Sequence, residues 1–149
     1  MEPGTKITYH KALNRADVVR YFYEKEDEYF HANIHKLGGT VEENIKSTLS
    51  TVVPDTFYVV YVGVQLAAFF TKYDGGDKQV LDGWHIAEEY RNATFIPEFW
   101  RIVKEVFSGE ILAGLFEKNR PALEHLYRQG FAIQNKIETE EGNLVILTN

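Results

Sequence analysis

Asn119-Arg120-Pro121-Ala122-Leu123-Glu124-His125-Leu126-Tyr127-Arg128-Gln129-Gly130-Phe131 is the most specific local pattern in the chain. An Asn shortly before a Pro reads as a helix start. The Asn side chain accepts an unbonded N–H of the first turn, and the Pro has none to satisfy. Leu123, Leu126 and Tyr127 recur at three- and four-residue spacing, which puts them on one helical face. Ala122 allows close packing. Gly130 ends the helix in a left-handed turn, a conformation that glycine adopts without steric cost, and Phe131 opens the next strand in the core.

Upstream, Glu110 to Phe116 is a short, nearly all-apolar run, as a central strand should be. Before it, Phe99, Ile102, Val103, Val106 and Phe107 form the apolar stripe of a helix, with Pro97 in its first turn and Ser108-Gly109 as its stop. Gln79 to Ile86 reads as a strand, preceded by a turn at Asp74-Gly75-Gly76-Asp77. Phe57 to Val62 and Leu66 to Tyr73 are rich in β-branched and aromatic residues and flank Gly63, the pattern of an antiparallel hairpin. Downstream of Phe131, the segments to Ile137 and from Leu144 to Leu147 form a second hairpin around Glu141-Gly142-Asn143.

Toward the N-terminus, Thr5 to His10 reads as a first strand. Asn14 or Asp17 caps a helix that runs through Val18, Val19, Phe22 and Tyr23 toward Phe30 and Ile34. Gly38-Gly39 punctuates the chain. Thr40 and Glu43 then frame a capping box for a second helix from Val41 to about Ser50, which Pro54-Asp55 ends. The order is β-α-α-β-β-β-α-β-α-β-β, a single α/β (α+β) domain over residues 1–149.

Composition narrows the function. Hydrophobic residues make up 44% of the 149, enough for a core, and the net charge of −6 comes without a Lys/Arg cluster. That balance argues against a nucleic-acid backbone and against an anionic membrane as partner. With no cysteine there is no disulfide, thiolate nucleophile or Cys-ligated zinc. The opening MEPGTKITYH is polar, and no apolar run approaches the about 20 residues that span a bilayer. The expectation is an intracellular protein. His31 and His35, four apart with Glu28 three before, have a spacing that can hold a metal, but a polar helix face explains them as well and is the favoured reading.

The order of elements, together with the Asn119, Ala122, Tyr127 and Gly130-Phe131 spacing, resembles the N-acetyltransferase (GNAT) superfamily throughout the chain. The resemblance implies a mixed central sheet of about six to seven strands with about four helices. It also implies an acetyl-CoA pyrophosphate loop after the fourth strand, with the pattern Arg or Gln, two residues, Gly, one residue, Gly or Ala. There, backbone N–H groups and a helix N-terminus hold the phosphates. The corresponding stretch is Glu89-Tyr90-Arg91-Asn92-Ala93-Thr94-Phe95-Ile96-Pro97. Its lead-in fits, but Thr94 and Ile96 stand where the small residues belong, and Pro97 withdraws a donor. Ile resists positive φ, and its side chain would crowd a diphosphate.

In an active member the amine attacks the thioester, a carboxylate accepts the proton, a Tyr protonates the leaving thiolate, and strand N–H groups polarise the carbonyl. By position, Tyr127 would be the acid and Glu88 or Glu89 the base, with Glu89 the first choice. Trp84, His85 and Ile86 would line the strand edge. Trp84, Ile86, Arg91, Asn92, Thr94 and Asn119 would contact the cofactor.

The altered loop leads to a different first expectation: a catalytically silent GNAT-fold protein with no cofactor. It would act as a structural or interaction subunit through a protein partner or self-assembly, in the cytoplasm or, by analogy with small viral proteins that reuse this fold, in a virion. The alternative is an active acetyl-CoA-dependent N-acetyltransferase. A third option is a binding module for another acyl or small ligand.

Overall fold

The computed structural model describes residues 5–12, 15–25, 57–75, 78–140 and 142–149. The elements are β1 (Ile7–Lys11), α1 (Arg15–Lys25), β2 (Phe57–Val62), β3 (Gln65–Gly75), β4 (Lys78–Ile86), a 3-10 turn (Glu88–Tyr90), α2 (Phe95–Val106), β5 (Ile111–Phe116), α3 (Arg120–Arg128), β6 (Ala132–Thr139) and β7 (Gly142–Thr148). The strands form one seven-stranded sheet in the order β1-β2-β3-β4-β5-β7-β6. The β1/β2, β2/β3, β5/β7 and β6/β7 pairs are antiparallel, and β4/β5 is parallel, in register over Gln79–Leu81 with Ile111–Ala113. This is the expected mixed α+β class, with three α-helices among the described residues. The helix expected from Val41 to Ser50, and the extension of the first helix to Phe30 and Ile34, lie outside the described residues, as does Asn14. Asp17 is in the first turn of α1 and not at its cap.

The chain divides into two compact units, one of Met1–Thr71 with Gly83–Phe99 and the other of Lys72–Asp82 with Trp100–Asn149. The first has an aromatic core. Val18 and Phe22 on α1 are buried with Phe57, Val59, Phe69 and Ala87. The Phe57 ring stacks on Phe69 at 4.9 Å between centroids, and Phe22 meets Phe69 at 5.3 Å. Such ring pairs add about 0.5–1.5 kcal/mol each beyond the area they bury. Between β2 and β3 the register slips, pairing Val60 with Ala68 and Tyr61 with Leu66. Ala67 is thus an extra residue, a bulge that locally bends the strand. Its carbonyl accepts the N–H of Ala87 at 2.8 Å, which pins the chain just past the end of β4.

In the second unit, α2 buries Trp100, Ile102 and Val103 with the following Phe107, and α3 buries Leu123 and Leu126. From the strands come Leu81, Ile111, Ala113, Val145 and Leu147. The Gln79 amide brackets Ser108: its Nε2 donates to the carbonyl at 2.5 Å, and its Oε1 accepts the N–H at 3.2 Å. This ties the start of β4 to the end of α2.

Two expected turns are shorter than the sequence implied. Asp74 and Gly75 continue β3, although Asp and Gly favour turns, because strand geometry overrides that local preference. The last hairpin turns after Thr139, and Gly142 and Asn143 belong to β7. Thr139 and Gly142 are paired, and the Thr139 hydroxyl donates to the Gly142 carbonyl at 2.7 Å, closing the turn with fewer residues than the Glu-Gly-Asn signal.

Candidate functional site

In the first unit the site residues follow β4. Trp84 is half-buried, whereas His85 and Ile86 are buried. The His85 ring sits edge-on to Phe22 at 5.2 Å between centroids, inside the aromatic core. Arg91 folds back over the strand end. Its Nε donates to the Ile86 carbonyl at 2.8 Å, and its guanidinium lies 3.4 Å from the His85 Nε2. Glu89 is exposed, and its carboxylate accepts from the Gln65 Nε2 at 2.8 Å. The same Gln65 amide accepts the Tyr90 hydroxyl at 2.7 Å. The 3-10 turn is thereby clipped to the first residue of β3.

Asn92 organises the start of α2. Its Oδ1 accepts the N–H groups of Thr94 at 3.0 Å and Phe95 at 2.8 Å, and its backbone carbonyl accepts the N–H of Ile96 at 3.1 Å. This is an N-cap in which one side-chain oxygen serves two first-turn donors. Pro97, which has no N–H, follows. Thr94 is exposed and Ile96 half-buried, while Phe95 is fully buried against Tyr90 and Phe99 at 5.3 and 6.5 Å between centroids.

In the second unit, α3 ends as the sequence implied. Gly130 has φ +90°. The Gly130 N–H donates to the Tyr127 carbonyl at 3.1 Å, and the Phe131 N–H reaches back to Leu126 at 3.0 Å. This is the paired bonding of a Schellman motif. Tyr127, in the last turn, is 42% exposed. The start of α3 departs from expectation. Asn119 occupies the N-cap position but makes no side-chain cap bond there; its backbone carbonyl accepts from Leu123 at 3.1 Å, and its N–H donates to the Phe116 carbonyl at 2.9 Å. With φ −83° and ψ 71°, Asn119 lies outside the β-region geometry that aims a cap side chain at the first turn.

No protein-family model matches the chain, and no curated protein matches its sequence. Solved structures do match its backbone. An aminoglycoside N(6')acetyltransferase from Legionella pneumophila superposes with a TM-score of 0.70 at 13% identity, over 99% of this chain and 92% of that one. A GNAT-family acetyltransferase from Streptococcus pneumoniae does so at 0.61 and 14%, over 97% and 98%. Arabidopsis thaliana Naa50, in complex with the bisubstrate analogue CoA-Ac-MVNAL, does so at 0.62 and 9%, over 96% and 97%. This chain has the GNAT fold. At such low identity the likeness is one of backbone.

Within the GNAT fold, the expected residues fall in two places. Trp84, His85, Ile86, Glu88, Glu89, Arg91, Asn92 and Thr94 gather at the end of β4 and the start of α2 in the first unit. Asn119 and Tyr127 lie at opposite ends of α3 in the second. The sequence reading missed Gln65, which holds both Glu89 and Tyr90, because a hairpin residue carries no signal for a partner 24 positions away. It also did not foresee that the Asn92 side chain caps α2. An Asn three residues ahead of a buried Phe is the available signal. His31 and His35 lie outside the described residues, and among the described residues no group of three or more His, Cys, Asp or Glu could hold a metal. Among those residues, too, no helix is long and apolar enough to cross a membrane.

Proposed function

We propose that this chain is a GNAT-fold protein that does not take acetyl-CoA and serves as a structural or interaction subunit. The observation that carries the reading is the occupied helix start. A diphosphate at a helix N-terminus is held by N–H groups that point at it without other partners. Here the Thr94 and Phe95 donors are taken by the Asn92 side chain, the Ile96 donor by the Asn92 carbonyl, and Pro97 has none. The Asn92 side-chain oxygen thus accepts from N–H groups that a bound anion would need, and the Arg91 guanidinium is turned onto the protein's own Ile86 and His85. The residues present therefore fit the cofactor poorly.

A second reading, an active N-acetyltransferase, has its own support. Tyr127 is accessible on a helix closed at its C-terminal end by the Schellman motif, and the structural neighbours are named as acetyltransferases. Against it, the base it would use, Glu89, is engaged by Gln65.

Calorimetric titration of the purified protein with acetyl-CoA, into the millimolar range, separates the two. The subunit reading expects neither heat nor thermal stabilisation. One-to-one binding would overturn it and direct the search to acceptor amines. On the subunit reading the chain resides where its partner does, in the cytoplasm or in a virion, and mass spectrometry of co-purifying proteins names that partner.

A further inference from the structure

The outer strand of the second unit carries the elements of a self-complementary interface. Among the described residues β6 is the last strand of the sheet, all eight of its residues are exposed, and Ile133 and Ile137 are 39% and 44% exposed. The hydrogen-bonding direction of each β6 residue follows from the register. Glu138 pairs with Asn143, and the Asn143 carbonyl is turned the other way, accepting the Glu117 N–H at 2.8 Å. Main-chain groups alternate sides along an antiparallel ladder. The N–H and C=O of Glu138, and by alternation those of Lys136, therefore face the open edge, while those of Ile137 face β7. The Lys136 N–H is met by the Oδ1 of Asn135 at 2.8 Å, a stopper from its own strand that keeps the edge satisfied when it stands alone.

We propose that a second copy of this chain docks on β6, antiparallel, about a two-fold axis through the two Ile137 residues. Symmetry leaves few registers, since some residue must face its own copy. An axis at Lys136 sets Lys against Lys, an axis at Glu138 sets Glu against Glu, and an axis at Thr139 sets Glu138 against Glu140. An axis at Asn135 runs into the register shift between Ile133 and Asn135, which interrupts the ladder. The axis at Ile137 places Lys136 opposite Glu138 twice, through the residues whose main-chain groups face outward; the Lys136 ammonium, 2.6 Å from the Glu117 carboxylate of its own chain, has further N–H donors for the facing Glu138. Opposite charges facing each other stabilise a strand pair, and like charges destabilise it.

The same axis continues an apolar row. Phe116 on β5 pairs with Leu144 on β7, which pairs with Ile137 on β6. Phe116 and Leu144 are half-buried, and the row stops at the edge. The Ile137 pair joins it to its copy. One strand with one apolar row is a small interface, so a dissociation constant of roughly micromolar order is expected. Every residue in this argument lies in the second unit. The pairing does not depend on the cofactor: a chain that bound acetyl-CoA and still dimerised would overturn only the preceding proposal.

The chain has no cysteine, so a single introduced one reports cleanly. In this register Ile137→Cys faces its copy in a non-hydrogen-bonded pair, with Cα atoms about 4.5 Å apart, within disulfide reach. Mild oxidation should give a covalent dimer. Ile133→Cys, more than about 20 Å from its copy, should not cross-link. Sedimentation of the full chain should show a concentration-dependent dimer that Glu138→Pro abolishes at little cost to the monomer's melting temperature, because an outward-facing edge N–H is dispensable to the fold. Glu138→Lys, which sets like charges opposite each other at Lys136, should raise the dissociation constant about tenfold. A monomer at all concentrations, cross-linking at Ile133→Cys as readily as at Ile137→Cys, or a dimer indifferent to Glu138→Pro would each overturn the proposal.

Discussion

The side-chain oxygen of Asn92 lies 2.8 Å from the backbone nitrogen of Phe95, three residues further on. That contact takes up one of the N–H donors that a helix start leaves open. Replacing the cap should show its energetic weight. Asn92→Ala is expected to destabilise the protein by about 1 kcal/mol. Asn92→Asp keeps the accepting oxygen and adds a favourable charge at the helix N-terminus, so it should be neutral or stabilising. Urea denaturation of the three proteins checks the order. An Asn92→Ala variant as stable as the parent would show that the cap contributes nothing.

Two glycines of the second unit should respond in opposite ways to alanine. At Gly130 a Cβ meets no atom within 4 Å, but φ is +90°, so Gly130→Ala carries only the left-handed backbone cost, roughly 1–2 kcal/mol. Gly114 lies in β5 at ordinary strand dihedrals, and its added Cβ would sit 3.4 Å from the Ile146 Cδ1. Gly114→Ala should be neutral or stabilising by up to about 1 kcal/mol, through a less flexible unfolded chain. Thermal melts of the pair test backbone strain against space.

In the first unit, Phe22 is fully buried and contacts the rings of Tyr21, Phe69 and His85. Phe22→Ala should cost about 3–5 kcal/mol, the usual range for emptying an aromatic core position. Tyr73→Ala in the second unit, at a site 49% exposed, should change stability by less than about 0.5 kcal/mol. Chemical denaturation distinguishes them, and equal effects would contradict the described packing.

Glu117 supplies a pH dependence. Its carboxyl is held below the usual carboxylate range, first by the hydrogen bond from Lys136, whose Nζ lies 2.6 Å from Oε2, and next by Asn143. A carboxylate with a lowered folded pKa stabilises the protein above its unfolded value, about 4.3, and loses that contribution as the pH falls through the folded one. The melting temperature of the parent should therefore exceed that of Glu117→Gln at neutral pH, with the gap closing in acid and narrowing in high salt. A gap that does not change with pH would rule this out.

Much of the fold could be read from local chemistry. Phe57 to Val62 could be read as a strand from its β-branched and aromatic residues, and α2 from the spacing of Phe99, Ile102 and Val103. The Gly130 stop followed from one residue's dihedral freedom. What could not be read depends on distant partners. Phe131 to Ile137 reads as a hairpin strand opened by a core Phe, and Phe131 is buried, but the strand beyond it is an outer edge among the described residues, set by a strand order that no local pattern encodes. Asn92 and Asn119 show the same limit within the candidate site. Both are Asn before a helix, but only Asn92 aims its side chain at the first turn.

The middle position of β7 has a consequence for synthesis. Of β5, β6 and β7, the one made last is the one that lies between the other two. Val145 and Leu147, both fully buried, come from it. While the ribosome is still short of Gly142, β5 and β6 have each been made without the neighbour that joins them. Strand edges exposed in this way invite pairing with other nascent chains. The half of the protein that holds Tyr127 is thus completed by a late insertion and not by stepwise growth, and a stall before that point leaves it unable to close.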